Sequence, residues 1–171
     1  MKLIHKIRTA VICGAWLLML SGCEDPFKNE VFKAYDDEPV GVWLAEQPEF
    51  SLWVAMLRKT NLYNAMNLGS SEYTCFVADN AAVESYLKEN TDYASIEEMP
   101  DDEIDFLLRY HIIRGAKLAS ANLMLKLALP TLTGDYLTAG VQVDTQERYI
   151  DNGEGKSPSY LVRGDVNLTN G

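Results

Sequence analysis

The architecture of this 171-residue chain is indicated most directly by the stretch TCFVADNAA at residues 74–82. Its apolar beginning belongs to a run over residues 72–78 that is typical of a buried strand. Asp79 and Asn80 follow at once, and either side chain can cap a helix predicted over residues 81–89. Cys75, inside the apolar run, is predicted to be a buried and inert thiol. A buried strand that leads directly into a capped helix indicates a domain that mixes both element types.

Helical patterns lie on both sides of this stretch. Residues 49–60 carry apolar side chains at helical spacing, and one face collects Phe50, Trp53, Val54 and Leu57. A short helix is predicted at residues 62–66. Further on, Pro100 and the three acids at 101–103 predict a helix start, because acidic groups are favourable near a helix N-terminus. The apolar face of that helix carries Ile104, Leu107, Leu108 and His111.

Strand patterns dominate the second half of the chain. The alternating leucines of residues 123–129 fit either a helix or a strand. A strand is predicted over residues 136–144, and residues 148–150 and 160–162 flank a hairpin turn signal at residues 151–153. Helices early in the chain and strands late in the chain indicate an α+β fold.

The N-terminal segment has the pattern of a signal peptide. Lys2, Lys6 and Arg8 precede an uncharged run over residues 9–22, and its apolar centre covers residues 10–20. A helix of that length covers only about half of a ~30 Å hydrocarbon core. The segment is therefore predicted to be a signal-peptide core and not a membrane span.

This segment ends in Leu20-Ser21-Gly22-Cys23, which resembles the lipobox of bacterial lipoproteins. The resemblance implies cleavage after residue 22 and lipid attached to Cys23; the alternative is an ordinary secretory signal with an incidental cysteine. Between residues 23 and 45 the apolar pattern is thin and acids are frequent. The predicted organisation is therefore a signal peptide at residues 1–22, an acidic tether at residues 23–45 and a domain at residues 46–171.

The charge of the chain limits its partners. The sequence has 15 Lys+Arg against 25 Asp+Glu, a net charge of −10. Removal of residues 1–22 takes away three cations, which leaves 12 against 25, or −13. Nucleic acid and anionic lipid repel such a body, so no nucleic-acid partner is expected. Glu24 and Asp25 resemble the acidic tag of Bacteroidetes surface lipoproteins; a solvated tether is the alternative.

The order of these segments resembles the fasciclin (FAS1) domain, an extracellular adhesion module. Residues 50–57 resemble its opening helix, residues 74–82 its first conserved box, and residues 107–115 its central Tyr-His segment. The resemblance covers residues 46–171 and implies a fasciclin-like α+β fold, with the helical first half packed on a strand-rich second half. Ala78 and Asp79 stand where the family box has proline and threonine.

The resemblance also implies an expectation for the C-terminus. The family continues past an Asn-Gly pair into a closing strand that contains a histidine, whereas this sequence ends at Gly171. The domain is therefore expected to be C-terminally incomplete, with the closing strand missing. An unpaired edge would lower stability or promote aggregation.

The candidate contact residues also follow from the resemblance. The family's Tyr-His segment has been linked to adhesion, so Tyr110 and His111 are the candidate partner-binding residues. The alternative is that both side chains are packed inside, since apolar Ile112 and Ile113 follow them. No catalytic residue, cofactor site or metal site is predicted, because zinc, nucleophile-elbow and phosphate-loop motifs are missing from the sequence.

The leading hypothesis is a non-enzymatic lipoprotein on the outer membrane of a Gram-negative bacterium, anchored in the membrane through Cys23. Its fasciclin-like domain would contact a protein or a glycan. The alternative is a structural accessory subunit of an outer-membrane nutrient (polysaccharide) uptake complex. A hydrolase is the third hypothesis, and it requires two carboxylates about 5–10 Å apart across a cleft.

Overall fold

Helices occupy the first half of the described chain and strands the second, which confirms the predicted α+β class. The computed structural model describes residues 38–123, 126–151 and 158–171. Its helices are α1 (Val40–Ala45), α2 (Ser51–Lys59), α3 (Leu62–Met66), α4 (Asn80–Asn90) and α5 (Asp101–Tyr110). Its strands are β1 (Tyr73–Cys75), β2 (Ile112–Arg114), β3 (Leu127–Pro130), β4 (Tyr136–Val141), β5 (Arg148–Asp151) and β6 (Ser159–Tyr160). Single 3₁₀ turns lie at Pro48–Phe50 and Ser120–Asn122.

Helix α2 lies at the centre of the helical half and contacts the other four helices. It buries the face that the sequence predicts, with Trp53, Val54 and Leu57 in the core. Burial of such side chains contributes about 1.5–3 kcal/mol each. At the end of the helix, the Lys59 ammonium donates to the carbonyl oxygens of Ile96, Glu97 and Met99 at 3.1, 3.0 and 2.5 Å. Helix α2 is therefore joined both to the core and to the loop before α5.

The segment before residue 46 was expected to be a tether that becomes ordered only near Trp43 and Leu44; helix α1 begins slightly earlier, at Val40. Val40, Trp43 and Leu44 are buried in the helical core, so the packed body includes the last residues assigned to the tether. The Trp43 ring lies 6.2 Å from the Phe50 ring, and the Arg163 guanidinium lies 5.5 Å from the Trp43 centroid. This helix was not predicted because it is only six residues long, which is too short to show a helical repeat of apolar side chains.

The junction between β1 and α4 assigns separate roles to the two candidate capping residues. Asp79 is the N-cap of α4, since its carboxylate accepts the Ala82 N–H at 2.8 Å. Asn80 instead joins α4 to the start of α2: its Oδ1 accepts the Leu52 N–H at 2.9 Å, and its Nδ2 donates to the Pro48 carbonyl at 3.0 Å. Asn80, which the sequence suggested as a helix cap, therefore links α4 to a distant part of the chain through hydrogen bonds.

Strands β1 and β2 form an antiparallel pair that separates two hydrophobic cores. The sequence pattern placed His111 on the face of α5, but the helix ends at Tyr110, and the chain continues as β2. Because successive strand residues face opposite sides, Ile112 lies in the helical core and Ile113 in the second core. On β1, Cys75 and the following Phe76 divide in the same way. Burial raises the pKa of the Cys75 thiol to about 12, so the thiol is inert at neutral pH.

The second core lies under an antiparallel sheet with the order β3-β4-β5-β6. Its inner face buries Leu129, Leu137, Ala139 and Ile150, together with Ile113 and Leu123. The ambiguous leucine pattern resolves into a strand at Leu127–Pro130. The predicted strand over residues 136–144 ends at Val141, where a turn begins.

The predicted C-terminal hairpin is present as the β5–β6 pair, with Tyr149 opposite Tyr160. Its second strand covers Ser159–Tyr160, earlier than the predicted residues 160–162. Asn152 and Gly153, the centre of the predicted turn, lie outside the described residues.

Asn170 connects the C-terminal segment to three parts of the helical half. Its side chain is 1% exposed, and its Oδ1 accepts the Val40 N–H at 2.9 Å. Its Nδ2 donates to the carbonyl oxygens of Met66 and Leu68 at 2.6 and 3.2 Å. Its own carbonyl accepts the Tyr73 N–H of β1 at 2.8 Å. One amide side chain therefore pairs two buried backbone groups, the Val40 N–H and the Met66 carbonyl, and also contacts the more exposed Leu68 carbonyl.

Candidate binding surface

The structure places the two candidate contact residues, Tyr110 and His111, in different surroundings. The His111 ring packs edge-on against Trp53, with 5.2 Å between ring centroids. Its Nδ1 lies 2.8 Å from the carbonyl oxygen of Leu107, one turn earlier in α5. Burial lowers the pKa of His111, and the hydrogen bond to Leu107 opposes this shift. His111 is therefore chiefly a neutral packing residue that holds the end of α5 against α2.

We expect the free energy of unfolding to decrease as the pH falls from about 7.5 to about 5.5, in part because of His111. Burial holds its folded-state pKa below the ordinary value of 6.5, so the unfolded chain binds the proton more readily. The contribution is complete above pH 6.5 and is lost as the pH falls through the lower folded-state pKa. Urea unfolding of wild type and His111→Gln at both pH values measures it. Equal pH-dependent losses in the two proteins would contradict this expectation.

Tyr110 is half-buried, because part of it packs against the second core. Together with the exposed Phe106 and Tyr136 it forms what we name the α5 aromatic patch: Phe106, Tyr110 and Tyr136. The rings of Phe106 and Tyr110 stack with 6.3 Å between centroids and 14° between planes. The Tyr110 hydroxyl donates to the Tyr136 carbonyl oxygen at 3.4 Å. Phe106 is 57% exposed and Tyr136 is 61% exposed. The patch is thus an apolar surface where the end of α5 meets the start of β4.

Two members of this patch, Phe106 and Tyr136, were missed in the sequence analysis. A signal for Phe106 exists, because it lies four residues before Tyr110 and off the buried face that carries Ile104 and Leu108. An exposed aromatic residue one turn before a second aromatic residue of the same helix can stack on it, and the sequence spacing shows this possibility. Tyr136 gives no such local signal, since its position beside α5 depends on how the sheet packs.

The described residues form neither the carboxylate pair of a hydrolase in the cleft beside Arg114 nor a metal-binding group. An open cleft of about 550 Å³ is lined by Gly69, Ser70, Ser71, Glu72, Arg114, Gly115 and Thr169. It contains one carboxylate, so the pair that a hydrolase needs is not found there. Over the described ranges, with their gaps at 124–125 and 152–157, no group of His, Cys, Asp and Glu side chains is arranged to hold a metal ion. Cys23 lies outside the described residues.

None of the helices α1 to α5, which are those of the described chain, has the length and apolar character that a membrane crossing requires.

Comparison with known proteins identifies the domain. The family model of the fasciclin domain matches residues 48–171. The chain is similar in structure to a solved FAS1 domain pair from the insect cell adhesion molecule fasciclin I, with a TM-score of 0.64 and 20% sequence identity. That similarity covers 78% of this chain and 47% of the other, so this chain spans about half the length of the domain pair. No curated protein matches the sequence.

The matched region contains the segments on which the sequence resemblance was based, all of the second core and most of the helical core. Fasciclin domains are non-enzymatic modules that generally serve in cell adhesion and binding. The fold agrees with this match, since the helical first half and the later sheet occur in the same order. The chain belongs to the fasciclin (FAS1) domain family.

Proposed function

We propose that this chain is an extracytoplasmic, lipid-anchored binding module whose fasciclin domain contacts a partner protein or glycan through the α5 aromatic patch. The observation that carries the proposal is the exposed Phe106 ring, which stacks on the half-buried Tyr110 ring next to the exposed Tyr136. In a family of adhesion modules, an exposed aromatic group on a rigid helix is suited to contact. Tyr110 contributes to the contact, whereas His111 positions the helix that presents it.

The geometry of the patch favours binding for a physical reason. Aromatic side chains bury large apolar areas at a low cost in conformational entropy, and they are enriched at the centres of interfaces. Stacking and the hydroxyl hydrogen bond already restrict the Tyr110 ring before any partner arrives. Less rotamer freedom is then lost on association, which raises affinity.

The anchoring part of the proposal rests on the sequence. Cleavage after Gly22 would leave Cys23 as the first residue, with lipid on its sulfur and its amine. Several acyl chains, at about 0.8 kcal/mol for each buried CH₂, hold a protein firmly on a bilayer. Glu24 and Asp25 support a location on the outer membrane of a Gram-negative bacterium of the Bacteroidetes type. The acidic segment that follows would keep the domain away from anionic headgroups.

Metabolic labelling with a fatty-acid probe tests the anchor. Wild-type protein is expected to carry the label and to sediment with the outer membrane, while Cys23→Ala is expected to lose both properties. Cys75→Ala is the matched control, because its buried thiol has no part in the anchor. A Cys23→Ala protein labelled as strongly as wild type would overturn this part of the proposal.

A cell-adhesion assay tests the contact surface. Cells that display the variant Phe106→Ser/Tyr110→Ser are expected to lose about 90% of the attachment that wild type gives, in line with the loss of two hot-spot residues. Val162→Ser is the matched control, since Val162 is 99% exposed and lies outside the patch. Equal attachment of the double variant and wild type, at equal surface amounts, would contradict the proposal. Stable copurification with an outer-membrane transporter, unaffected by the double variant, would instead favour a structural accessory role.

A further inference from the structure

The α5 aromatic patch is bordered by acidic side chains, and this combination indicates the chemistry of its partner. Resting on the proposed function, we infer that the partner is a protein surface with an apolar centre and a rim of lysine and arginine side chains. The inference depends on two observations: the apolar exposure of the patch and the sign of the charges around it.

The apolar centre is unusual for a surface. Phe106 and Tyr136 are both more than half exposed, and the Phe106 ring lies parallel to that of Tyr110. Single exposed apolar residues are ordinary, whereas contiguous aromatic groups mark interaction sites. The centre of the partner surface must therefore be apolar as well.

The rim of the patch is acidic. Asp102 and Glu103 are exposed and lie four and three residues before Phe106, which places them on the adjoining turn of the same helix. The Tyr93 hydroxyl donates to Glu103 Oε1 at 3.0 Å and holds that carboxylate in place. On the side of the sheet, the exposed Asp135 directly precedes Tyr136.

Positive charge near the patch is already engaged. Within α5 the cation is Arg109, whose Nε lies 2.5 Å from Asp105 Oδ2. Asp102 and Glu103 lie in the first turn of α5, where the helix dipole stabilises acidic side chains. Asp135 lies in the turn between β3 and β4, so the helix dipole does not account for its presence. The acids on both sides of the patch therefore produce a local negative field around an apolar centre.

This field selects among partner classes. A neutral glycan could donate hydroxyl hydrogen bonds to these carboxylates, but it carries no charge for the local field to attract. Nucleic acid or anionic lipid would be repelled by the rim. A basic protein surface gains attraction at the rim and apolar burial at the centre, the arrangement typical of specific interfaces. Because the Debye length is about 8 Å at physiological ionic strength, the nearby acids matter more than the net charge of the chain.

Fluorescence anisotropy with a defined probe tests the inference. The probe is a synthetic amphipathic peptide with tryptophan and leucine on one face and lysine on the other, and a second peptide carries glutamine in place of every lysine. The full-length protein is used in a non-ionic detergent, with empty micelles as the blank. Wild type is expected to bind the lysine peptide at least about tenfold more tightly than the glutamine peptide, with weaker binding at higher salt.

Two charge-reversal variants separate local from diffuse attraction. Asp102→Lys/Glu103→Lys is expected to weaken binding of the lysine peptide about tenfold. Glu84→Lys/Glu89→Lys, on exposed positions of α4, changes the net charge equally and is expected to change binding less than about threefold. Phe106→Ser is expected to weaken binding at least tenfold. Circular dichroism of each variant verifies the fold.

The outcomes distinguish this inference from the proposed function. Equal losses in both charge-reversal variants, or equal binding of the two peptides, would overturn the inference and indicate diffuse attraction or a purely apolar partner. If Phe106→Ser abolishes cell attachment but leaves lysine-peptide binding unchanged, the proposed function stands and the inference fails. If Phe106→Ser changes neither attachment nor peptide binding, both fail.

Discussion

Replacement of Asn170 by leucine is expected to lower the free energy of unfolding by about 3–4 kcal/mol. Leucine has the same branching at Cγ but a larger volume, and it can neither accept the Val40 N–H nor donate to the Met66 carbonyl. Both backbone groups would then be buried without a partner, at about 1–3 kcal/mol each. The Leu68 carbonyl would contribute less, because Leu68 is 61% exposed and water is close. Urea unfolding at pH 7.5, followed by tryptophan fluorescence, measures the loss.

Asn167→Leu is the matched control for this prediction. Asn167 lies in the same segment but is exposed, so the same chemical change is expected to cost less than about 0.5 kcal/mol. Asn170→Asp is a second variant, because it replaces the Nδ2 donor by a carboxylate oxygen that faces two carbonyl oxygens. It is expected to be more destabilising at pH 7.5 than at pH 5, since burial favours the neutral carboxyl. An Asn170→Leu protein as stable as Asn167→Leu would show that the observed hydrogen bonds do not support the fold.

Truncation of Trp53 to alanine is expected to lower the free energy of unfolding by about 3–5 kcal/mol. Trp53 is 2% exposed, and it lies on the central helix of the helical core. The change removes most of a large aromatic side chain and leaves a cavity that the neighbouring helices can only partly close. It also removes the ring against which His111 packs. The pKa of His111 is therefore expected to rise towards its ordinary value as water enters.

Two measurements check this prediction independently. Urea unfolding gives the change in stability, and an NMR titration of the imidazole signals gives the pKa of His111. Phe106→Ala is the control for loss of an aromatic ring, because Phe106 is 57% exposed and its loss is expected to cost less than about 1 kcal/mol. A Trp53→Ala protein that melts like wild type, or one whose imidazole titrates as before, would contradict the packing described for α2 and α5.

Prediction of the helical half from sequence succeeded where the apolar pattern was long. The buried face of α2 agrees with the expectation because it repeats over a full helix. Helix α1 was assigned to a tether, since six residues give too little periodicity to distinguish a helix from a linker. No strand was predicted at Ile112 and Ile113, which form one because they pair with β1. Short β-branched segments follow their partners more than their intrinsic preference.

The candidate site was predicted only in part. The family's Tyr-His segment led to Tyr110 and His111, and both lie at the end of α5 as the pattern requires. Sequence did not show that Tyr110 packs towards the second core and stacks on Phe106, whereas His111 packs on Trp53, because these contacts involve other parts of the fold. Tyr136 is part of the patch only because the fold places the start of β4 beside α5.

Local chemistry was enough to specify several features from the residues alone. The strand–helix junction at residues 74–82, the apolar face of α2 and the late sheet each depend on capping or periodicity within about a dozen neighbouring residues. The roles of Asn80 and Asn170 depend on partners from 28 to 130 residues away along the chain. The sequence does not indicate which distant backbone group a polar side chain will contact. These roles are therefore decided only when the two halves of the chain pack.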